Sequence, residues 1–147
     1  MKQIKKEIEF LEYAYNQILI EKDTYSFILK KNKALEGSKI LSENTENLLK
    51  KSILEFNKFL ISIKVMLKNR KYEKKQDDLL FRVATYITID LKDSKEEEIK
   101  KVLSHGSEVV LNELKKHFDK QEKMSKTIEN LIMRFIDFEN NLIKSLI

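Results

Sequence analysis

Apolar residues recur along the first part of the chain at alternate steps of four and three. This spacing is typical of an amphipathic helix that buries one face, and Lys22 occupies the only step of the row without an apolar side chain. Gly37 can adopt the left-handed conformation that often ends a helix. The pattern therefore predicts a helix over residues 2–35. Its apolar row is Ile4, Ile8, Leu11, Tyr15, Ile18, Tyr25 and Leu29.

A second row repeats this rhythm without a polar interruption. Ser42 is a suitable N-cap residue, and the acidic Glu43 and Glu46 suit the positive end of a helix dipole. The basic residues that begin near Asn69 suit the opposite end. A second helix is therefore predicted over residues 43–69. Its apolar row is Leu49, Ile53, Phe56, Leu60, Ile63 and Leu67.

The next segment gives two conflicting signals. Its apolar residues have helical spacing, but residues 85–89 also alternate and are rich in side chains that favour strands. A single strand would have no partner in this chain. We therefore predict a short helix over residues 78–92 in preference to a strand.

The last apolar row keeps one heptad frame and predicts a fourth helix over residues 95–146. Gly106 leaves two interpretations open, either a kinked helix or two helices divided at residues 104–107. The apolar members of the row are Leu103, Val110, Leu114, Met124, Ile128, Leu131, Phe135, Phe138 and Leu142.

Together these rows predict an all-α fold, a bundle of three to five long amphipathic helices with up-down topology and coiled-coil-like seams. The chain has no proline and only two glycines, so it lacks the turn residues that a β-sandwich or barrel requires. With 147 residues and 41% hydrophobic content, a single domain spanning residues 1–147 can fill one core.

Three polar residues lie in the predicted seams, namely Lys22, His117 and Gln121. If helices one and four run antiparallel with Ile4 opposite Leu142, the three meet in one layer. Such a layer would set the helix register at a cost in stability, or would bind a ligand or sense pH through the histidine. The alternative is that Lys22 extends its ammonium group to water and His117 lies at a solvated edge.

Basic residues are concentrated between Lys64 and Lys75, where they account for the whole net charge of +5. With one aromatic side chain among the cations, this segment is a candidate site for nucleic acid or an acidic partner. A solvated connector between two helices would have the same composition. The candidate residues are Lys68, Arg70, Lys71, Tyr72, Lys74 and Lys75.

The C-terminal tract has apolar residues on more than one face of its predicted helix. Either it lies deep in the bundle, or part of it contacts a second chain, which would be another copy of the protein or a target protein. The candidate partner-binding residues are Leu131, Phe135, Phe138, Leu142, Ile143 and Leu146.

No pattern in the sequence fixes a reaction. Without cysteine the chain has no disulfide, thiolate metal site or cysteine nucleophile, and two glycines are too few for most phosphate-binding loops. The two histidines do not form the paired Glu-x-x-His motifs of a di-iron bundle. We therefore expect no cofactor, no bound metal and no enzymatic activity.

The expected location and function follow from features that the sequence lacks. The sequence contains no run of about 18 uncharged apolar residues, so no membrane span is predicted. No secretory signal is evident, which favours a cytoplasmic protein. A mature secreted form with an added Met1 would look the same. We expect a non-enzymatic protein that binds another macromolecule through an apolar helix face, as an adaptor, chaperone, inhibitor or immunity-type protein, either with a protein partner or by self-association. The alternative is a nucleic-acid-binding accessory protein that uses residues 64–75.

Overall fold

The computed structural model describes residues 2–74, 94–121 and 123–147, and these residues form four α-helices and no strand. The predicted all-α bundle is confirmed. The predicted helix over residues 78–92 and its strand alternative lie outside the described residues. The helices are α1 (Lys2–Ala34), α2 (Glu43–Asn69), α3 (Glu96–Asp119) and α4 (Lys126–Leu146).

The first two helices have the predicted bounds because local capping residues define their ends. Gly37 follows α1 with a φ of 74°, a conformation that glycine adopts without strain. Ser42 precedes α2, and its hydroxyl accepts a hydrogen bond from the Thr45 backbone N–H at 3.3 Å. Both ends are thus determined by residues within one turn of the helix.

The predicted helix over residues 95–146 is instead two helices, and the break is not at residues 104–107. α3 passes through Gly106 without interruption and ends at Asp119, whereas α4 begins after Ser125. The Ser125 hydroxyl accepts a hydrogen bond from the N–H of Ile128. No glycine or proline marks this turn, so the local pattern could not predict it.

Contacts between the first two helices show that they run antiparallel. The ring of Tyr25 meets the ring of Phe56 edge-on, with centroids 5.2 Å apart. Nearer the start of α1, the ammonium group of Lys64 lies 5.6 Å from the centroid of the Tyr15 ring. Residue numbers therefore rise along α1 as they fall along α2.

The other two helices run in opposite directions relative to α1. Tyr25 contacts Ser107, and Tyr13 contacts His117, so α3 is antiparallel to α1. Glu7 contacts Ser125 near the start of both α1 and α4, so these two helices run parallel. Consequently α2 and α3 point in the same direction, and the four described helices do not simply alternate.

The predicted register between helices one and four is wrong. It placed Ile4 opposite Leu142, but Ile4 is 49% exposed, while the buried face of α1 begins with Glu7 and Phe10. Phe10 packs against Phe118 of α3, with ring centroids 5.7 Å apart. The start of α1 therefore packs beside the end of α3 and not beside the end of α4.

Aromatic rings fill the middle of the core. Phe56 lies between Tyr25 and Phe138, and Phe59 packs on Phe135, in each case with nearly perpendicular rings. Such edge-to-face pairs contribute roughly 0.5–1.5 kcal/mol each beyond the burial of their surface. This aromatic cluster connects α1, α2 and α4, and its α1 member, Tyr25, also belongs to the candidate site.

Candidate functional site

Two acids and one amide lie in the buried face of α1, namely Glu7, Glu21 and Asn32. Each follows the helical spacing of the apolar residues around it, and each is at most 6% exposed. The sequence-based assignment of Lys22 to the seam is therefore off by one position, because Lys22 is only half-buried and Glu21 points inward.

Glu7 has a cationic partner. The guanidinium group of Arg70 donates from Nε to the Glu7 carboxylate at 3.1 Å, and the Ser125 N–H donates to the other carboxylate oxygen at 2.9 Å. Arg70 also donates to the Ser125 hydroxyl at 3.2 Å. Burial by itself would raise the pKa of Glu7, but the Ser125 N–H and the Arg70 charge outweigh it, so the pKa is lowered.

Asn32 stabilises the connection between α1 and α2. Its side-chain oxygen accepts hydrogen bonds from the backbone N–H groups of Ile40 and Leu41 at 3.0 and 3.1 Å. Its amide nitrogen donates to Glu46 at 2.8 Å. These bonds replace the water that the buried amide and the loop backbone lose on folding, so Asn32 has an ordinary structural role.

Glu21, in contrast, meets a second acid. The Ser107 hydroxyl donates to one Glu21 carboxylate oxygen at 2.6 Å, and the Tyr25 hydroxyl lies 3.0 Å from the Ser107 oxygen. The carboxyl group of Glu139, which is fully buried on α4, faces that of Glu21. We call Glu21 and Glu139 the carboxyl pair.

The carboxyl pair is poorly satisfied. Apart from the contact between the two acids, the second oxygen of Glu21 and both oxygens of Glu139 have no hydrogen-bond partner among the described residues. Because two carboxylates repel each other, the two groups can bond directly only when one of them carries a proton. No described lysine or arginine forms an ion pair with either acid.

The surroundings of the pair raise the pKa of both carboxyl groups. Burial raises the pKa of Glu21 to about 7, although the bonds from Glu139 and Ser107 lower it in part. Burial and the charge of Glu21 raise the pKa of Glu139 well above its usual value. Burial and the same charge also raise the pKa of Tyr25. The pair therefore titrates as one unit that retains protons which exposed glutamates would lose.

A pocket of about 320 Å³ opens beside Glu21, between α1 and α3. Its walls are largely apolar and include Ile20, Val102 and Val110. Gly106 leaves part of this space open, since a Cβ atom there would meet no atom within 4 Å. The volume exceeds that of an engineered apolar cavity of about 150 Å³ that binds benzene.

Few polar groups line the pocket, and they differ in depth. Glu21, Tyr25 and Ser107 form its inner wall and are almost fully buried, whereas Lys101 and His105 are exposed at its outer edge. Apolar walls with a few converging polar groups and titratable groups of shifted pKa are typical of ligand sites.

The predicted polar layer of Lys22, His117 and Gln121 does not form. The ring of His117 stacks on that of Tyr13, with centroids 3.8 Å apart, and its Nδ1 lies 2.9 Å from the backbone oxygen of Glu113. Lys22 lies nine residues beyond Tyr13, which is about 13 Å along the helix. Gln121 lies beyond the end of α3.

The predicted basic site has much of its charge directed towards α1. Arg70 binds Glu7, the Tyr72 hydroxyl donates to Glu12 at 2.6 Å, and the ammonium group of Lys74 lies 3.6 Å from the same Glu12 oxygen. Of the other candidates, Lys68 and Lys71 are exposed, and Lys75 lies outside the described residues.

The C-terminal candidate residues lie mostly in the core of the protein itself. Leu131, Phe135, Leu142 and Leu146 are at most 3% exposed. Phe138 and Ile143 are half-buried. Of the candidate residues, only these last two offer part of their surface to a second chain, although Met133 and Ile147 of the same tract are exposed.

Sequence reasoning missed both members of the carboxyl pair, although a signal was present. Glu139 lies four residues after Phe135 and three before Leu142, and Glu21 lies three after Ile18 and four before Tyr25. Both positions complete a helical row that is otherwise apolar.

No protein-family model, curated protein or solved structure matches this chain significantly. Among the described residues, no helix is long and apolar enough to cross a bilayer, and no three potential metal-binding side chains are grouped together. The geometry of the pocket and the carboxyl pair is therefore the basis for a functional proposal.

Proposed function

We propose that this protein acts by binding and not by catalysis, and that the pocket between α1 and α3 is its recognition site. The bound group is compact and apolar, and it is carried either by a small molecule or by a side chain of a partner macromolecule. The observation that carries this proposal is the apolar space of about 320 Å³ next to Glu21.

The pocket is a better candidate than the surfaces suggested by sequence. Most of the C-terminal candidate residues are buried, so they offer little area to a partner. The alternative function, binding of nucleic acid through residues 64–75, receives little support because Arg70, Tyr72 and Lys74 contact acids of α1. A phosphate backbone would have to compete with those contacts.

Apolar walls also fit a binding role. Burying apolar surface contributes about 25 cal/mol per Å², and a few fixed polar groups then orient the bound molecule. The hydroxyl groups of Tyr25 and Ser107 and the carboxyl group of Glu21 provide that orientation at one end of the pocket.

The test fills the pocket without disturbing the helix. Gly106→Met places a flexible side chain in open space, and methionine favours the helical conformation. Hexan-1-ol serves as the probe, with binding followed by NMR chemical-shift changes and calorimetry. We expect shifts in residues that line the pocket of the wild type, and at least a ten-fold loss of affinity in Gly106→Met.

The matched control is Asn112→Met, which introduces the same side chain on the exposed face of α3 outside the pocket. We expect this variant to bind hexan-1-ol as the wild type does. Equal binding by Gly106→Met and the wild type, or no binding by the wild type, would contradict the proposed function.

A further inference from the structure

We infer that the pocket binds an organic ammonium group on an apolar stem, with the Glu21 carboxylate as its counter-charge. The inference rests on the proposed function of the pocket and specifies the chemistry of its ligand. The ligand stem would lie against the apolar walls, and its cationic end would face Glu21, Tyr25 and Ser107.

The carboxyl pair has no cationic partner among the described residues. Glu7 and Glu21 are both buried on the same face of α1, but only Glu7 binds a cationic side chain among the described residues. The carboxyl pair has two acids and no counter-ion within residues 2–74, 94–121 and 123–147, and its pKa values are raised, so it retains protons to higher pH than exposed glutamates do. A ligand that brings a positive charge removes the need for those protons.

The hydrogen-bond acceptors on the inner wall of the pocket match the donors of an ammonium group. An ammonium group has three donors and no acceptor. The inner wall offers the unpartnered oxygen of Glu21 and the hydroxyl oxygens of Tyr25 and Ser107. A carboxylate ligand would face the acidic pair with no described cation beside it, and an alcohol has a single donor. The ammonium group matches this set of acceptors best.

The ligand can reach Glu21 through a small movement. The unpartnered oxygen of Glu21 lies just beneath the wall and is closed to water. A turn of this side chain towards the pocket exchanges its contact with Glu139 for one with the ligand. If Glu21 carries a proton beforehand, that proton passes to the buffer as the ammonium group binds, so charge is conserved.

Charged groups around the pocket determine how binding depends on pH. Glu21 and Tyr25 come from α1, Glu139 comes from α4, and α3 contributes Lys101 and His105. From α2, the neighbouring group is the uncharged ring of Phe56. Since Lys101 and His105 are exposed, water and salt screen any repulsion from them more strongly than they screen the attraction of a buried carboxylate.

The experiment compares n-hexylammonium with hexan-1-ol, which has the same stem and no charge, by calorimetry on the full chain at pH 8. We expect n-hexylammonium to bind at least ten times more tightly. Lowering the pH to 5.5 protonates Glu21 and should weaken binding of the cation at least ten-fold, with little change for hexan-1-ol. The ammonium group itself stays protonated throughout this range, as lysine does.

Variants test whether Glu21 supplies the charge. Glu21→Gln keeps the size of the side chain and should reduce the affinity for n-hexylammonium to that for hexan-1-ol. The matched control is Asp23→Asn, which removes a half-buried acid of the same helix that does not line the pocket. We expect this control to retain the ten-fold preference for the cation.

The outcomes separate this inference from the proposed function. If hexan-1-ol binds in the pocket and n-hexylammonium binds no more tightly, the pocket function stands and the inference fails. If neither binds, both fail.

A lysine whose amino and carboxyl ends are both blocked presents the same ammonium group and apolar stem as a peptide side chain does. Its binding would identify a partner side chain as the source, whereas binding of the free amine alone would identify a small molecule.

Discussion

Glu7 and Glu21 are both buried on α1, but their carboxyl groups have different partners. Glu7 lies near the start of α1, where Arg70 and the Ser125 N–H bind its carboxylate. Glu21 lies four turns further along, where its neighbours are a serine hydroxyl and another carboxyl group. Burial acts in the same direction on both, yet the pKa is lowered at Glu7 and raised at Glu21.

This difference teaches that burial alone does not decide whether a carboxyl group in this bundle is charged, because the partners of Glu7 outweigh burial whereas those of Glu21 offset it only in part. The hydrogen bonds among Glu7, Arg70 and Ser125 connect three parts of the bundle, namely α1, the residue after α2 and the N-cap of α4. Glu21 makes no such connection to a cation in the part of the chain that the structure describes. A buried group that is poorly satisfied reduces stability, and such groups are often kept for function.

The largest expected effect comes from removing the cation at Glu7. Arg70→Met keeps an extended side chain but leaves a buried carboxylate without its counter-ion, which typically costs about 3–5 kcal/mol. Urea unfolding at pH 7, followed by circular dichroism, measures the loss. Lys68→Met removes an exposed charge two residues earlier and should change stability by less than about 0.5 kcal/mol.

The pH dependence of Arg70→Met sharpens the test. The folded-state pKa of Glu7 is lowered, so the stability that Glu7 contributes is present above its unfolded pKa of about 4.5 and is lost as pH falls through the folded value. The difference between the variant and the wild type should therefore shrink in acid. A loss of stability no greater than that of Lys68→Met would show that the ion pair contributes little.

The carboxyl pair should give the opposite pH dependence. Its folded-state pKa values are raised, so its stability is fully present below about 4.5 and is lost as pH rises through about 7. Glu139→Gln removes one acid and the repulsion that accompanies it. We expect this variant to be more stable than the wild type at pH 8.5 by more than about 1.4 kcal/mol, which corresponds to one pKa unit, because the pKa of Glu139 is raised well above its usual value.

At pH 5 the two proteins should differ by less than about 1 kcal/mol, because the pair is then protonated and an amide resembles a neutral carboxyl group. Glu129→Gln removes an exposed acid of α4 and serves as the control, with the wild-type pH profile expected. If Glu139→Gln lost stability between pH 5 and pH 8.5 as steeply as the wild type, the pair would not be the source of that loss.

The sequence predicted those parts of the fold that depend on neighbouring residues. α1 and α2 have local caps, Gly37 and Ser42, and regular apolar rows, so their bounds could be read directly. The break between α3 and α4 could not, because Glu7 and Arg70 bind Ser125 from more than 50 residues away. Conversely, Gly106 suggested a break that α3 does not contain, since a packed helix tolerates one glycine.

The candidate site was only partly predictable, for a related reason. A row defined by apolar residues alone led from Ile18 to Tyr25 through Lys22, whereas the buried face leads through Glu21. An acid in a buried position is expensive, so a hydrophobic pattern gives no reason to choose it. Only the approach of Glu139 from another helix and the space beside Gly106 identify the position as a site.

The smallest expected effect compares the two serines that bond these acids. Ser107→Ala removes the donor to Glu21 and the partner of the Tyr25 hydroxyl, and an unsatisfied buried group costs about 1–3 kcal/mol. A hydrogen bond to a charged carboxylate is stronger than one to a neutral carboxyl group. The loss should therefore be greater at pH 8.5, where Glu21 is ionised, than at pH 5.

Ser125→Ala is the matched variant at the other acid, where it removes the cap of α4 and an acceptor for Arg70 at a cost of about 1 kcal/mol. Its backbone N–H still binds Glu7, which stays ionised at both pH values because its pKa is lowered. The loss for Ser125→Ala should thus be the same at pH 5 and pH 8.5. Unfolding both variants at these two pH values tests the contrast between the acids directly, since equal pH dependence in the two serines would mean that Glu7 and Glu21 titrate alike.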